Sequence, residues 1–306
     1  MVETAPDICI YHAPCQDGFT AAYAVWARFG DAQTVYHPSA HGDPPPDVTG
    51  KHVVIVDFSY PPAVLEKMAE VAASMMVLDH HKSAIEALAN IPVAQSTWEG
   101  HLSASALEQE KPDGAPIAAV FDMERSGAVI AWQYFHPNIV VPWLFRYVQD
   151  RDLWRFALPY TREISAALFS YDYDFNTWSS LHLRLETDNS YSRLLTEGKG
   201  IERKHHKDIR ELLDATRREM TIGGHVVPVA NMPYTMASDA ANIMAEGQPF
   251  AATYYETSSG RLAFSLRSAE DGADVSEIAK MYGGGGHKHA AGFSVPAGTI
   301  LLPQTP

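Results

Sequence analysis

The stretch Met75-Met76-Val77-Leu78-Asp79-His80-His81 constrains the fold of this chain more than any other. A short apolar run ends abruptly in a carboxylate and two adjacent imidazoles. Such a run, bounded by polar residues and preceded by a helical pattern, suits a strand buried on both faces of an α/β sheet. Ligands of these sheets gather at the carboxyl ends of the strands, where Asp79, His80 and His81 would stand. The alternative is a surface loop that happens to carry histidines. Two other strand-like runs weigh against it, because they end in the same kinds of residue. One is Ile8-Cys9-Ile10-Tyr11-His12, followed by Cys15 and Asp17. The other is His52-Val53-Val54-Ile55-Val56-Asp57.

Helical patterns lie between these runs. Gly18 opens an Ala-rich helix to about Phe29, with Gly30 as its stop. Residues 38–50 are rich in Pro, Gly and His and read as loop. Pro61-Pro62 opens a helix in which Val64, Leu65, Met68 and Val71 keep helical spacing. This alternation predicts a parallel sheet with right-handed crossovers. Residues 90–116 are poorly patterned and read as loop-rich. Ile117–Phe121 reads as a strand, and Ser126-Gly127 starts a helix to Phe135. Pro142 starts another, which ends in Gln149-Asp150-Arg151-Asp152-Leu153-Trp154.

Residues 191–220 are polar, with an apolar stripe at Ile201, Ile209, Leu212 and Leu213, and read as a helical linker. Their basic run, Arg203 to Lys207, suits a solvated face. Beyond it, strands at 226–229, 250–255 and 261–266 are expected, with helices at 238–244 and 275–281. The expected class is α/β: a parallel-sheet metal-binding domain over 1–190, the linker over 191–220, and a smaller α/β substrate-binding domain over 221–306.

A length of 306 residues favours two cores over one. No apolar run is long enough to span a membrane, and no signal-peptide pattern opens the chain. Two cysteines give no disulfide framework, so a reducing cytoplasm is the expected compartment. A formal net charge of −14 disfavours a protein that holds long nucleic acid by many phosphate contacts. It is compatible with a short anionic substrate reached through metal ions. Monomer and homodimer both stay open.

His12, Asp17, Asp57, Asp79, His80, His81, Asp150 and Asp152 give oxygen and nitrogen ligands from separated segments, with no paired Cys motif. That donor set favours Mn²⁺ or Mg²⁺ over structural zinc. Two such ions sharing a carboxylate activate water and clamp a phosphoryl oxygen. Late in the chain, Gly283-Gly284-Gly285-Gly286-His287-Lys288 permits close backbone approach, and suits N–H groups pointed at a phosphate. A flexible linker is the other reading; the strand-like Ala-Ala-Gly-Phe-Ser-Val that follows disfavours it.

The Asp79-His80-His81 triplet after its apolar strand resembles the signature of the DHH phosphoesterases. Asp57 in Ile-Val-Asp-Phe-Ser resembles that family's second motif. Ser265-Leu266-Arg267-Ser268 and the stretch from Gly283 to Phe293 resemble its associated C-terminal domain. RecJ-like exonucleases and nano-RNases belong to this family. The resemblance implies phosphoester hydrolysis with two Mn²⁺, Mg²⁺ or another divalent ion being possible. It implies that Asp57 bridges the ions, that Asp17 and His80 hold one with an aspartate of the fourth motif, and that His12 holds the other. His81 would face the substrate phosphate and Asp79 would orient its neighbours. Arg267, Gly284, Gly285, Gly286, His287 and Lys288 would bind the substrate phosphate.

Two positions depart from the family pattern. Cys15 stands where the first motif carries an aspartate, as thiolate ligand or buried bystander. The fourth motif overlays Asp152-Leu-Trp-Arg-Phe156 best, with Asp150 as the alternative. The expected substrate is a short single-stranded nucleic acid end or oligonucleotide. A small-nucleotide phosphatase or cyclic-dinucleotide phosphodiesterase is the second reading, and a non-catalytic nucleotide-binding regulator the third.

Overall fold

A computed structural model describes residues 4–92, 97–108 and 117–299. The chain divides into two compact units, Met1–Glu202 and Arg203–Pro306. Among the described residues, no helix is long and apolar enough to cross a membrane.

The first unit is built on strands β1 (Ile8–His12), β2 (Val35–Ser39), β3 (His52–Val56), β4 (Ser74–Asp79) and β5 (Ile117–Phe121). All four pairings are parallel, in the order β2-β1-β3-β4-β5. That order is one of the doubly wound arrangements, in which the winding reverses between β1 and β3 and ligands collect at that point. The continuous apolar runs follow from burial on both sides. Cys9, Val54, Val56, Met76 and Leu78 face one core, which α1 (Gln16–Phe29) shares with later helices. Ile8, Ile10, Val53, Ile55, Met75 and Val77 face the other, against α2 (Pro62–Ala69).

The remaining helices of this unit are α3 (Lys82–Ala87), α4 (Trp98–Glu108), α5 (Gly127–Phe135), α6 (Trp143–Asp152), α7 (Thr161–Leu168) and α8 (Phe175–Leu185). One expectation fails here and another is narrowed. Residues 38–50 do not all form loop, because β2 continues to Ser39 with Pro38 inside it. Proline is tolerated there because β2 is an edge strand. The stretch 90–116 is not wholly loop, since it contains α4; residues 93–96 and 109–116 lie outside the described residues.

Helix α9 (Asp188–Thr216) is continuous, and the division between the units falls within it. The expected linker is thus part of both units. Ile209 and Leu213 pack with Ala230, Met232, Met244 and Ala251, and Leu212 packs against them, so this part of its apolar stripe belongs to a core. The second unit continues with β6 (Arg218–Ile222), β7 (His225–Asn231), α10 (Ala237–Ala245), β8 (Ala251–Glu256), β9 (Arg261–Arg267), α11 (Val275–Lys280), β10 (Gly285–His287) and β11 (Ala290–Pro296). They form a six-stranded sheet, β10-β11-β9-β8-β7-β6, in which only the β7–β8 pairing is parallel.

Candidate metal centre

Parallel register brings the ends of β1, β3 and β4 to one edge: Tyr11 pairs with Val56, and Val56 with Leu78. The next residues are therefore neighbours. Asp57 leaves β3 with a left-handed backbone, φ 55, which aspartate tolerates better than most residues. Its N–H donates to the Leu78 carbonyl at 2.8 Å, which locks that turn onto β4.

The Asp57 carboxylate looks two ways. Oδ2 lies 3.6 Å from His12 Nδ1 and 3.7 Å from Cys15 Sγ. Oδ1 lies 3.1 Å from His80 Nε2. The same His80 nitrogen is 3.8 Å from Asp17 Oδ2 and 3.6 Å from Asp152 Oδ2. Two groups result, His12 with Cys15 and Asp57, and Asp17 with His80 and Asp152. Within each group the ligand atoms lie within 4.8 Å of one another. Asp57 belongs to the first and touches the second.

Asp17, Asp57 and His80 are 2%, 1% and 1% exposed, so their charges see little water. Burial raises Asp17 well above the usual carboxylate range, and the neighbouring Asp57 and Asp152 raise it further. Asp152 is raised for the same reason. Burial opposes ionisation of Asp57 too, but the His12 and His80 rings beside it outweigh burial and hold Asp57 low. Burial disfavours the His80 imidazolium, yet Asp57, Asp152 and Asp17 push its pKa up to about 10. Two buried carboxylates, Asp17 and Asp57, thus crowd a nearly dry space, with the exposed Asp152 at its edge. Asp17 Oδ2 and Asp57 Oδ1 accept no well-formed hydrogen bond among the described residues. Buried oxygens left this way, within reach of imidazole nitrogens, suit divalent cations that prefer oxygen and nitrogen donors.

Asp79 does different work. Its Oδ1 accepts the backbone N–H groups of His80 at 2.7 Å and His81 at 3.2 Å, and pairs with His81 Nδ1 at 2.7 Å. The carboxylate shapes the turn after β4 and fixes the orientation of the His81 ring. Burial disfavours the His81 cation, but Asp79 more than offsets this and raises its pKa.

Asp150 stands apart from both groups. It is buried, and its carboxylate accepts N–H groups of Ala157 at 2.9 Å and Leu158 at 3.0 Å, plus the Thr161 hydroxyl. That loop engages both of its oxygens, whereas Asp152 reaches His80. Asp150→Asn is therefore expected to lower stability by roughly 1.5–3 kcal/mol, through loss of charge-assisted bonds. Bound metal should stay unchanged. Asp152→Asn should do the reverse, and thermal melts with elemental analysis on both variants separate the two roles.

Sequence reasoning did not single out Gly127 at the site. A Cβ there would stand 2.5 Å from Asp57 Cβ and 2.7 Å from its Oδ1, so only glycine lets the start of α5 close over this carboxylate. The neighbouring Ala128 N–H donates to Asp17 Oδ1 at 3.2 Å, and Ser126 caps the helix by accepting the Val129 N–H. His41 was also passed over; its ring centroid lies 5.6 Å from that of His12 and 6.5 Å from that of His81. The only signal for it was the His-rich loop composition.

In the second unit the glycine run is not an open cradle. Gly283 and Gly284 donate their N–H groups to the Lys280 and Ala279 carbonyls at 3.0 and 2.9 Å. Gly285 and Gly286 pair with β11 in β10. A Cβ on Gly284 would stand 2.1 Å from the Gly292 carbonyl oxygen, so its smallness serves close strand packing. Arg267 ends β9 and His287 ends β10; both pair with Ala290 of β11, and residues opposite one another share a face. The Arg267 guanidinium donates to Ser238 Oγ at 2.6 Å and Ser265 Oγ at 3.1 Å. The Lys288 carbonyl accepts the Val275 N–H.

Residues 223–301 match the DHHA1 domain. An uncharacterized protein, R106, of Acanthamoeba polyphaga mimivirus is 29% identical over 94% of this chain and 67% of its own length. The structure described as the DHH domain of PF0399, a member of the s1p family of ribosomal proteins, aligns with a TM-score of 0.52 at 14% identity. That alignment covers 94% of this chain and 82% of that one. RecJ of Thermus thermophilus, solved with Mg²⁺, aligns with a TM-score of 0.38 at 16% identity, over 97% of this chain and 48% of that one.

Proposed function

We propose that this chain, a DHH-family phosphoesterase with a DHHA1 domain over residues 223–301, hydrolyses phosphodiesters of short oligonucleotides or nucleic acid ends with two divalent ions, Mn²⁺ foremost. One observation carries the reading: Asp57 turns one oxygen to His12 and Cys15 and the other to His80, which stands beside Asp17 and Asp152. Two divalent ions, when bound, polarise a phosphoryl oxygen and lower the pKa of water. Asp57 would be the shared ligand, with His12 and Cys15 completing one set and Asp17, His80 and Asp152 the other. His81, held by Asp79, faces the substrate phosphate. Arg267 and His287, on one face of the second sheet, are the phosphate-recognition groups of the DHHA1 domain. The net charge of −14 favours short substrates over long polymers.

Purified protein with Mn²⁺ should be offered labelled dinucleotides, longer single strands with each terminal chemistry, adenosine bisphosphate and cyclic dinucleotides. Hydrolysis that is fastest on the shortest linear oligonucleotides is expected. Metal-loaded protein that cleaves none of them would overturn the reading.

Cys15 tests the first ligand set. Burial and the nearby Asp57, Asp152 and Asp17 raise its pKa well above the ordinary thiol value, so without metal it stays a thiol. A cation beside Sγ would reverse that balance. Cys15→Ser is expected to lower the occupancy of one of the two metal sites and Cys15→Asp to restore it, read by elemental analysis. Full occupancy in the serine variant would make Cys15 a packing residue.

A further inference from the structure

Directly after Asp152 the chain adopts a costly conformation. Trp154, Phe156 and Tyr160 have left-handed backbones, with φ of 55, 49 and 63. Bulky residues seldom adopt that region, and they persist there only where the surroundings fix them. Asp150 fixes the middle of this loop. Its carboxylate holds the Ala157 and Leu158 N–H groups and the Thr161 hydroxyl. Its carbonyl accepts the N–H groups of Arg155 at 2.9 Å and Phe156 at 3.3 Å.

The loop so held displays a stack of cations and rings. Trp154 and Phe156 meet edge to face, 4.9 Å between centroids. The Arg151 guanidinium lies 4.2 Å over the Trp154 ring, and that of Arg162 lies 3.7 Å over the Phe156 ring. All four residues are half-buried. Neither ring belongs to any hydrophobic core among the described residues, so core packing does not account for the arrangement. Charge points the same way. In a chain of net charge −14, residues 151–162 carry three arginines and one acidic residue, Asp152.

We propose that the Arg151–Trp154–Phe156–Arg162 stack is a subsite for one nucleotide of the substrate. The base lies against the ring and guanidinium planes, and a guanidinium meets a phosphate oxygen. Aromatic faces accept any base, and arginine supplies both stacking and a fork for phosphate. The subsite rests on the phosphoesterase reading, because Asp152 ties the loop to His80 at 3.6 Å and Trp154 is only two residues further on. It selects for a base-bearing phosphate over a bare one.

The test uses the full-length, metal-free protein and calorimetric titration with AMP and with ribose 5-phosphate. Wild type should bind AMP more tightly. Trp154→Asn removes the ring but keeps a residue that tolerates the left-handed backbone. It should weaken AMP by about tenfold or more, as loss of one base–aromatic stack does, and change ribose 5-phosphate little. Arg162→Gln should weaken both ligands. NMR contacts between AMP base protons and the Trp154 indole in wild type give an independent reading should the asparagine variant not fold. Equal AMP affinity in wild type and Trp154→Asn, equal wild-type affinity for the two ligands, or absence of those contacts each overturns the subsite. No metal is present, so failure here leaves the hydrolytic reading standing. A protein that binds AMP this way but cleaves nothing would refute only the hydrolytic one.

Discussion

Asp57→Asn is expected to cut turnover by on the order of a thousandfold or more, the scale set by losing several kcal/mol of metal-based stabilisation of the transition state. The side chain keeps its shape and loses the charge. In the native protein that charge faces His12 at 3.6 Å, Cys15 at 3.7 Å and His80 at 3.1 Å, with 1% of the residue exposed. Among the described residues, no other carboxylate touches both ligand sets in this way, so the loss reaches both at once. The fold should survive, because the Asp57 N–H to Leu78 bond that holds the turn is a backbone bond. Initial rates at saturating Mn²⁺, with circular dichroism as the folding control, read the effect. A wild-type rate in the folded, metal-loaded variant would remove Asp57 from the centre.

Gly127→Ala should be nearly as damaging to activity, although residue 127 carries no chemistry. The added methyl would lie 2.5 Å from Asp57 Cβ and 2.8 Å from its Cγ. Neither side yields cheaply. Asp57 is held by β4, and the start of α5 is held by the Ser126 cap and by the Ala128 N–H on Asp17. Overpacking of this kind costs roughly 1–3 kcal/mol. Relief by moving α5 would drag Asp17 away from Asp57, so activity should fall at least about tenfold, the rate equivalent of about 1.4 kcal/mol. Gly200→Ala is the control. It lies in α9 with nothing within 4 Å of a Cβ, and alanine there should stabilise by about 0.5–1 kcal/mol. Matching melting temperatures and rates for the two variants would contradict the packing argument.

Two-sided burial made much of the first unit legible in the sequence. β1, β3 and β4 are continuous apolar runs because a core lies on each face, and each ends at the edge where polar ligands collect. β2 escaped because Pro38 and an exposed edge give it neither alternation nor an unbroken run. β6 escaped for a similar reason: Arg218 and Glu219 stand exposed on the other sheet's edge. Asp150 and Asp152 could not be separated from spacing alone. Two residues apart on a helix they point to different sides, and only the 157–161 loop shows which side is spent. Gly127 read as an ordinary helix start, since the neighbour that forbids a side chain there, Asp57, lies far earlier in the chain and is brought close by the fold. The four-glycine run was legible as a place of close approach, but what approaches it is β11.

Whether one carboxylate, Asp57, joins two metal ions is read most directly by Mn²⁺ titration followed by electron paramagnetic resonance. Wild type should bind two ions and develop the signal of an exchange-coupled pair, and Asp57→Asn should lose that coupling. A wild-type protein that binds a single ion, or two ions with uncoupled spectra, would contradict the shared-ligand centre.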